Sequence, residues 1–254
     1  MKKTIYILLL TALISVGTSS CTDWLSLRPE GEMVLDEYWQ TESDAQQVMA
    51  ACYRGLIEND CTYRMLVWGE LRSDDFTVGQ SYVVEMRKIM DQEIEPTNLY
   101  CTWGSFYAVI NYCNTFLKYA PTVLDKDDNF TEAKLHEMEA EVYTIRALSY
   151  FYLVRAFQNV PWISTPSIDD NQEYQVTQSS ERAVLDSIIV DLKFAGKYAN
   201  KQFTLNKDTK GRITQNAVHA LLADVYLWDQ QYDNCIKECD KVLADENLSL
   251  VKAE

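Results

Sequence analysis

The sequence predicts an all-α fold of paired helices joined by irregular loops, and three observations carry that prediction. From Trp103 onward, apolar residues recur at spacings of three and four. Cap and breaker residues, such as Thr131, Asn159-Val160-Pro161 and Thr214, punctuate those runs. No segment sustains the apolar–polar alternation of a half-buried strand.

The first element is a leader. Lys2 and Lys3 precede an apolar stretch from Ile5 to Val16, interrupted only by Thr11 and Ser15. As a helix that stretch rises about 18 Å, short of a bilayer core of about 30 Å. A positive start, a short apolar run and the small residues Gly17 to Ser20 read as a secretory signal over residues 1–20. Cysteine directly after them is the pattern of a bacterial lipoprotein, in which the Cys21 thiol receives a diacylglycerol and becomes the mature N-terminus. The alternative is an ordinary cleaved leader with Cys21 as a bystander. The lipid is the expected attachment to the membrane.

Composition narrows the partners. The formal net charge is −15, and removing Lys2 and Lys3 with the leader deepens it. Such a chain repels nucleic acid and anionic headgroups. Its 47% hydrophobic content supports an ordinary core, and residues 21–254 suffice for one large domain or two small ones. Tyr outnumbers Phe 16 to 8, which suits either a wet binding surface or aromatic packing between helices. Beyond Cys21, Cys52, Cys61, Cys101, Cys113, Cys235 and Cys239 form no CxxC pair, and His136 and His219 lie far from them in sequence. No metal or other cofactor is expected, and the thiols read as small buried hydrophobes.

The remaining elements follow in order. Pro29 and Gly31 keep the lead after Cys21 extended. Ser43 or Asp44 is placed to cap a helix reaching about Leu56. Residues 59–100 are the least regular part, with turn signals at Asn59-Asp60, Asp74-Asp75, Gly79 and Pro96-Thr97. Trp103, Phe106, Ile110, Cys113 and Leu117 mark a helix that Pro121 ends. Thr131 caps a long helix from Glu132 to about Gln158 that is apolar on two faces, so it packs between two neighbours. At its exit Asn159 suits a left-handed cap, and Pro161 holds Val160 extended. A third helix starts near Ser180 with Val184, Leu185, Ile188, Ile189 and Leu192 inward. A fourth, capped by Thr214, turns Val218, Leu221, Leu222, Val225 and Trp228 to one side. A fifth runs from Tyr232 to about Ala244. These last two have the register of a tetratricopeptide-like pair: Ala223 at a small position, Tyr226 and Tyr232 at aromatic ones, and Cys235 and Cys239 as inward packing thiols.

Taken together, Cys21-Thr22-Asp23-Trp24-Leu25 with Pro29, DEYWQT (36–41), WGSFYAVINYCN (103–114), RALSYFYLVRAFQNVPW (146–162), VLDSIIVDL (184–192) and GRITQNAVHALLADVYL (211–227) resemble the RagB/SusD family of Bacteroidetes outer-membrane lipoproteins. The likeness runs from Cys21 to about Leu250. Asn159 stands where the family has Gly, a mild change because Asn also enters the left-handed region. The family is about twice as long, so residues 21–254 are expected to be a SusD-like N-terminal helical-repeat domain without the C-terminal half. The outward side of the last helix, with Ile236 and Leu243, is then expected to be wet. The resemblance implies a lid over a SusC-like TonB-dependent transporter at the outer surface, capturing oligosaccharides or other nutrients without chemistry.

Catalysis finds no support in the residues. The adjacent Asp74 and Asp75 suggest a glycosidase pair only weakly, since a solvated acidic loop explains them. GxSxG, HExxH and glycine-rich phosphate loops are missing, and eight glycines leave little material for one. Arg146 is expected to pair with a carboxylate of a neighbouring helix. Sugar binding needs an aromatic platform and planar polar side chains. Arg72, Asp74, Asp75, Gln80, Tyr82 and Tyr100 supply them in a stretch that matches a family segment able to contribute ligand contacts. The competing reading is a scaffold lipoprotein with no small ligand of its own.

Overall fold

The computed structural model describes residues 35–73, 75–77, 79, 83–168 and 175–248. The leader, Cys21 and the lead up to residue 34 lie outside these, as do Asp74, Gln80 and Tyr82. Residues 1–38 form one unit, of which the helical turn α1 (Leu35–Tyr38) is described; Trp39 to Glu254 form the other.

In the larger unit, α2 (Glu42–Ile57) begins two or three residues earlier than a Ser43 or Asp44 cap would place it. The cap is Thr41 rather than Ser43 or Asp44, and Asp44 acts from the third helical position. Its carboxylate accepts from the backbone N–H of Thr41 at 2.7 Å and of Gln40 at 3.1 Å, the reciprocal arrangement of a capping box. Helices α3 (Asn59–Gly69) and α4 (Val84–Met90) occupy the irregular stretch. Next come α5 (Gly104–Tyr119), which ends in a 3₁₀ turn over Ala120–Val123 containing Pro121, and α6 (Glu132–Phe157). The set closes with α7 (Glu181–Tyr198), α8 (Asn206–Gly211), α9 (Gln215–Trp228) and α10 (Tyr232–Leu243). Thr131, Ser180 and Thr214 cap α6, α7 and α9 as their chemistry dictates, each hydroxyl accepting a backbone N–H three residues on. Among the described residues the β structure is one isolated bridge, Val160 to Ser179.

The 26-residue α6 is the axis of the core. It packs on α5 and α2 on one side and on α7 on the other, while α9 packs on α7 and α10. Leu135, Met138, Val142 and Ile145 are buried, and so are Ala147, Tyr150 and Val154 of the second face, so both apolar faces are used. Full burial of each large side chain contributes about 1.5–3 kcal/mol, and this doubly packed helix collects many. Its exit differs from the expected one. Gln158, not Asn159, takes the positive φ, at 63°. Asn159 instead turns its side-chain oxygen to the Glu181 N–H at 3.1 Å, starting α7. Beyond Pro161 the chain folds back onto α6, where the Tyr150 hydroxyl accepts from Ile163 N–H at 2.7 Å and donates to its carbonyl at 3.0 Å.

Aromatic rings fill the helix interfaces. Trp68 stacks on Phe106 at 4.9 Å, and Phe157 meets both Trp68 and Trp103 edge-on. Arg146 pairs with a carboxylate of the neighbouring helix as expected. Its Nε and Nη2 reach Asp191 of α7 at 2.9 and 2.8 Å, and its Nη1 reaches Asn114 of α5 at 2.8 Å. Cys52, Cys61 and Cys113 are buried free thiols.

The α9–α10 pair departs from its expected register along α10 and at the turn before it. Ala223 and Tyr226 are buried, but Cys239 is exposed and Cys235 only partly covered. The inward residue of α10 is Glu238, whose carboxylate meets His219 Nδ1 at 2.7 Å and Lys241 Nζ at 2.8 Å. A charged residue reads as outward by hydropathy, yet pairing makes its burial tolerable. Trp228 and Tyr232 are also exposed, Trp228 donating its indole N–H to Glu181 at 2.9 Å. Ile236 and Leu243 are exposed as expected.

Candidate functional site

The loop nominated for ligand contacts is fastened from below by one buried arginine. Arg64 of α3 donates from Nε to the Thr102 carbonyl at 2.8 Å, and from Nη2 to the Leu99 carbonyl at 2.9 Å and the Thr102 hydroxyl at 2.6 Å. Its Nη1 pairs with Asp60 one turn earlier. Five fork donors are well matched to a loop that exposes several carbonyls. Above this anchor, Asn98 is buried and bonds the Glu85 carbonyl and the Tyr100 N–H, each at 2.9 Å. Trp68 donates its indole N–H to the Tyr100 carbonyl at 2.8 Å.

Tyr100 is therefore a positioned, half-buried aromatic on a rigid base. Burial pushes its phenol above the ordinary value, and the neighbouring Arg64 guanidinium opposes that shift. Arg72 and Asp75 are exposed on the turn after α3, where the Asp75 N–H reaches the Ser73 hydroxyl at 3.3 Å. Among the described residues no hydrogen bond or ion pair joins either to Tyr100. Tyr100 is grouped instead with Arg64, Glu85 and Tyr63. Tyr63, Phe76 and Leu99 expose large apolar surface on the same segment. No local pattern singles them out, although Tyr63 and Phe76 are platform types within or beside this stretch.

Elsewhere, clefts of two sizes open among the described residues. The smaller, of about 540 Å³, is apolar along Met49, Ala50, Ile57 and Met138 and polar at Tyr53 and Arg212. Beneath it Glu141, 1% exposed, takes both Nε (3.0 Å) and Nη2 (2.5 Å) of Arg212 and the hydroxyl of Tyr53. Burial pushes the Glu141 carboxyl above its usual range, against the pull of those bonds. This cluster is a structural tie between α2, α6 and the approach to α9. The larger cleft, of about 1030 Å³, is bounded by the loop after α7, α8, the start of α9 and the end of α10. Its lining includes Phe203, three lysines and several side-chain amides.

No group of three or more His, Cys, Asp or Glu among the described residues is placed to hold a metal ion. None of the described helices is long and apolar enough to cross a membrane. The described part of this loop carries the Tyr100 ring beside the exposed Arg72 and Asp75, with the Asn98 amide spent on the loop backbone.

A family model described as "Starch-binding associating with outer membrane" matches residues 23–227. The SusD-like protein P38 of Formosa agariphila is 25% identical over 94% of this chain and 45% of its own length. A crystal structure of a SusD homolog from Bacteroides thetaiotaomicron superposes with a TM-score of 0.74 at 20% identity, covering 88% of this chain and 45% of that one. A laminarin-binding SusD-like protein gives a TM-score of 0.69 at 25% identity, covering 81% of this chain and 44% of that one. The chain thus spans about half the length of the relatives it matches.

Proposed function

The chain belongs to the SusD-like family, and from that premise we propose that it is a glycan-binding lipoprotein of the outer membrane that works with a SusC-like TonB-dependent transporter and performs no chemistry. The observation that carries this reading is the match to a starch-binding family across residues 23–227, joined by a fold neighbour that binds laminarin. Anchoring through a diacylated Cys21 fits the leader pattern. The ligand surface we assign is the loop on α3 and α4, with Tyr100 as the aromatic platform and Arg72 and Asp75 as polar contacts. The Arg64 anchor supports it, because a binding loop held rigid loses less entropy on capture.

Calorimetric titration of the protein with laminari- and malto-oligosaccharides tests the reading. Binding that falls about tenfold or more on Tyr100→Ala is expected, since stacking and polar contacts at one sugar are worth 1–2 kcal/mol or so. Glycan turnover, or no affinity for any glucan, overturns it. Mass spectrometry of membrane-extracted protein should find an acylated N-terminus at Cys21, and co-purification should recover the transporter. The competing scaffold reading is favoured only by the repeat-like α9–α10 pair, and glycan affinity rules it out.

A further inference from the structure

The basic residues of this acidic chain are unevenly spread. Lys197, Lys201, Lys207, Lys210 and Arg212 fall within one short stretch against the single carboxylate of Asp208, in a chain of net charge −15. The loop after α7 and α8 form one wall of the 1030 Å³ cleft, and of those five basic residues Lys201 and Lys210 line it.

The cleft is furnished for a ligand. Phe203 is a half-buried ring fixed in place: its N–H reaches the Thr209 hydroxyl at 2.9 Å, and that hydroxyl lies 3.2 Å from its carbonyl. The Arg212 guanidinium covers the ring at 4.2 Å. Polar groups remain unspent. Gln215 commits its NH₂ to the Gly196 carbonyl at 2.8 Å, and Asn216 commits its NH₂ to Asp245, so both keep their side-chain oxygens as acceptors. Asn247 also bonds Asp245, so that carboxylate is held by two amides on the opposite wall, where Glu246 is a second carboxylate. Lys241 is spent on Glu238. Among the described residues, the side chains of Lys210 and Asn206 have no hydrogen-bond or ion-pair partner, and both line the cleft. Small-ligand sites span about 300–1,000 Å³, so this cleft has room for several sugar rings.

We infer that this cleft binds an anionic oligosaccharide, with its carboxylate or sulfate groups against Lys201 and Lys210 and its hydroxyls on Asn206, Gln215 and Asn216. Ammonium groups make charge-assisted bonds to such oxyanions, and side-chain amides match neighbouring hydroxyls. The ligand class rests on the carbohydrate reading above; the site and the charge preference do not.

The test is calorimetry on the full chain with an oligouronate, a sulfated oligosaccharide and a neutral laminari-oligosaccharide, each at low and high salt. Anionic binding that weakens with salt is expected. Lys210→Gln and Lys201→Gln should each lower that affinity about tenfold with no change in melting temperature, because both side chains are exposed. The stronger of the two charged ligands identifies the oxyanion. Equal affinity for charged and neutral sugars, or anionic binding indifferent to the Lys201→Gln/Lys210→Gln double variant, overturns the inference. Loss of glucan binding alone, with lysine-dependent uronate binding retained, defeats the loop assignment and leaves the cleft. Glucan binding without anionic binding does the reverse.

Discussion

Arg146 brings its guanidinium into the core with 6% of its surface exposed, where three hydrogen bonds and two aromatic rings surround it. Asp191 takes two bonds, Asn114 one, and the rings of Tyr143 and Trp162 lie 5.0 and 5.4 Å away. Asn114 passes the connection to the Ile163 carbonyl at 2.9 Å. Arg146→Ala leaves Asp191 buried and unpaired, at a cost of about 3–5 kcal/mol. The double change Arg146→Met/Asp191→Leu removes both charges and is expected to recover most of that loss. Urea melts of both variants check this. The same logic separates the thiols. Cys113 is fully covered beside Cys52, so Cys113→Asp should cost several kcal/mol. Exposed Cys239→Asp should stay within about 0.5 kcal/mol, and melting temperatures distinguish the two.

At the scale of the element, the start of α2 depends on one carboxylate. Slight burial raises the Asp44 pKa, but hydrogen bonds from the Thr41 side chain, the Thr41 backbone and the Gln40 backbone outweigh it and hold it below the ordinary value. A folded-state pKa below the unfolded one gives stability that is present above the unfolded value, near 3.9, and lost as pH falls through the folded value. Asp44→Ala removes the bonds to Thr41 and Gln40 that close the helix start and should cost about 1 kcal/mol at neutral pH. Its melting temperature should also fall less steeply than the wild type's between about pH 5 and pH 2. Equal slopes in that window would count against the capping assignment.

Over the whole molecule, the doubly packed α6 and its partner α7 should be the last region to open. Both bury large side chains along their length, whereas α8 buries none and α4 only Ile89. Native-state hydrogen exchange should accordingly rank α6 and α7 amides slowest and those of α4 and α8 fastest. The Glu141 cluster binds this core to distant chain. Tyr53, 88 residues away, and Arg212, 71 residues away, converge on one carboxylate, and the Tyr53 hydroxyl also takes the Ile213 N–H at 2.9 Å.

What the sequence determined alone is what depends on neighbours a few positions away. The period of three and four laid out α5, α6, α7, α9 and α10. The hydroxyls of Thr131, Ser180 and Thr214 marked three starts, because a cap reaches only its own first turn. The loop around Tyr100 is half legible in the same way: Tyr100 stands out as an aromatic among turn residues, but its support does not. Arg64 holds that loop from 35 and 38 residues away, and no local pattern announces such a partner. The same reason explains the inward turn of Glu238 over Cys239, since hydropathy ranks a thiol above a carboxylate until His219 arrives from α9 to pair with it. It also explains why Gln158 rather than Asn159 takes the left-handed backbone: Asn159 is needed to receive the first N–H of α7. Only the tertiary structure decides which charges are buried, because burial of a charge is set by its non-local partner.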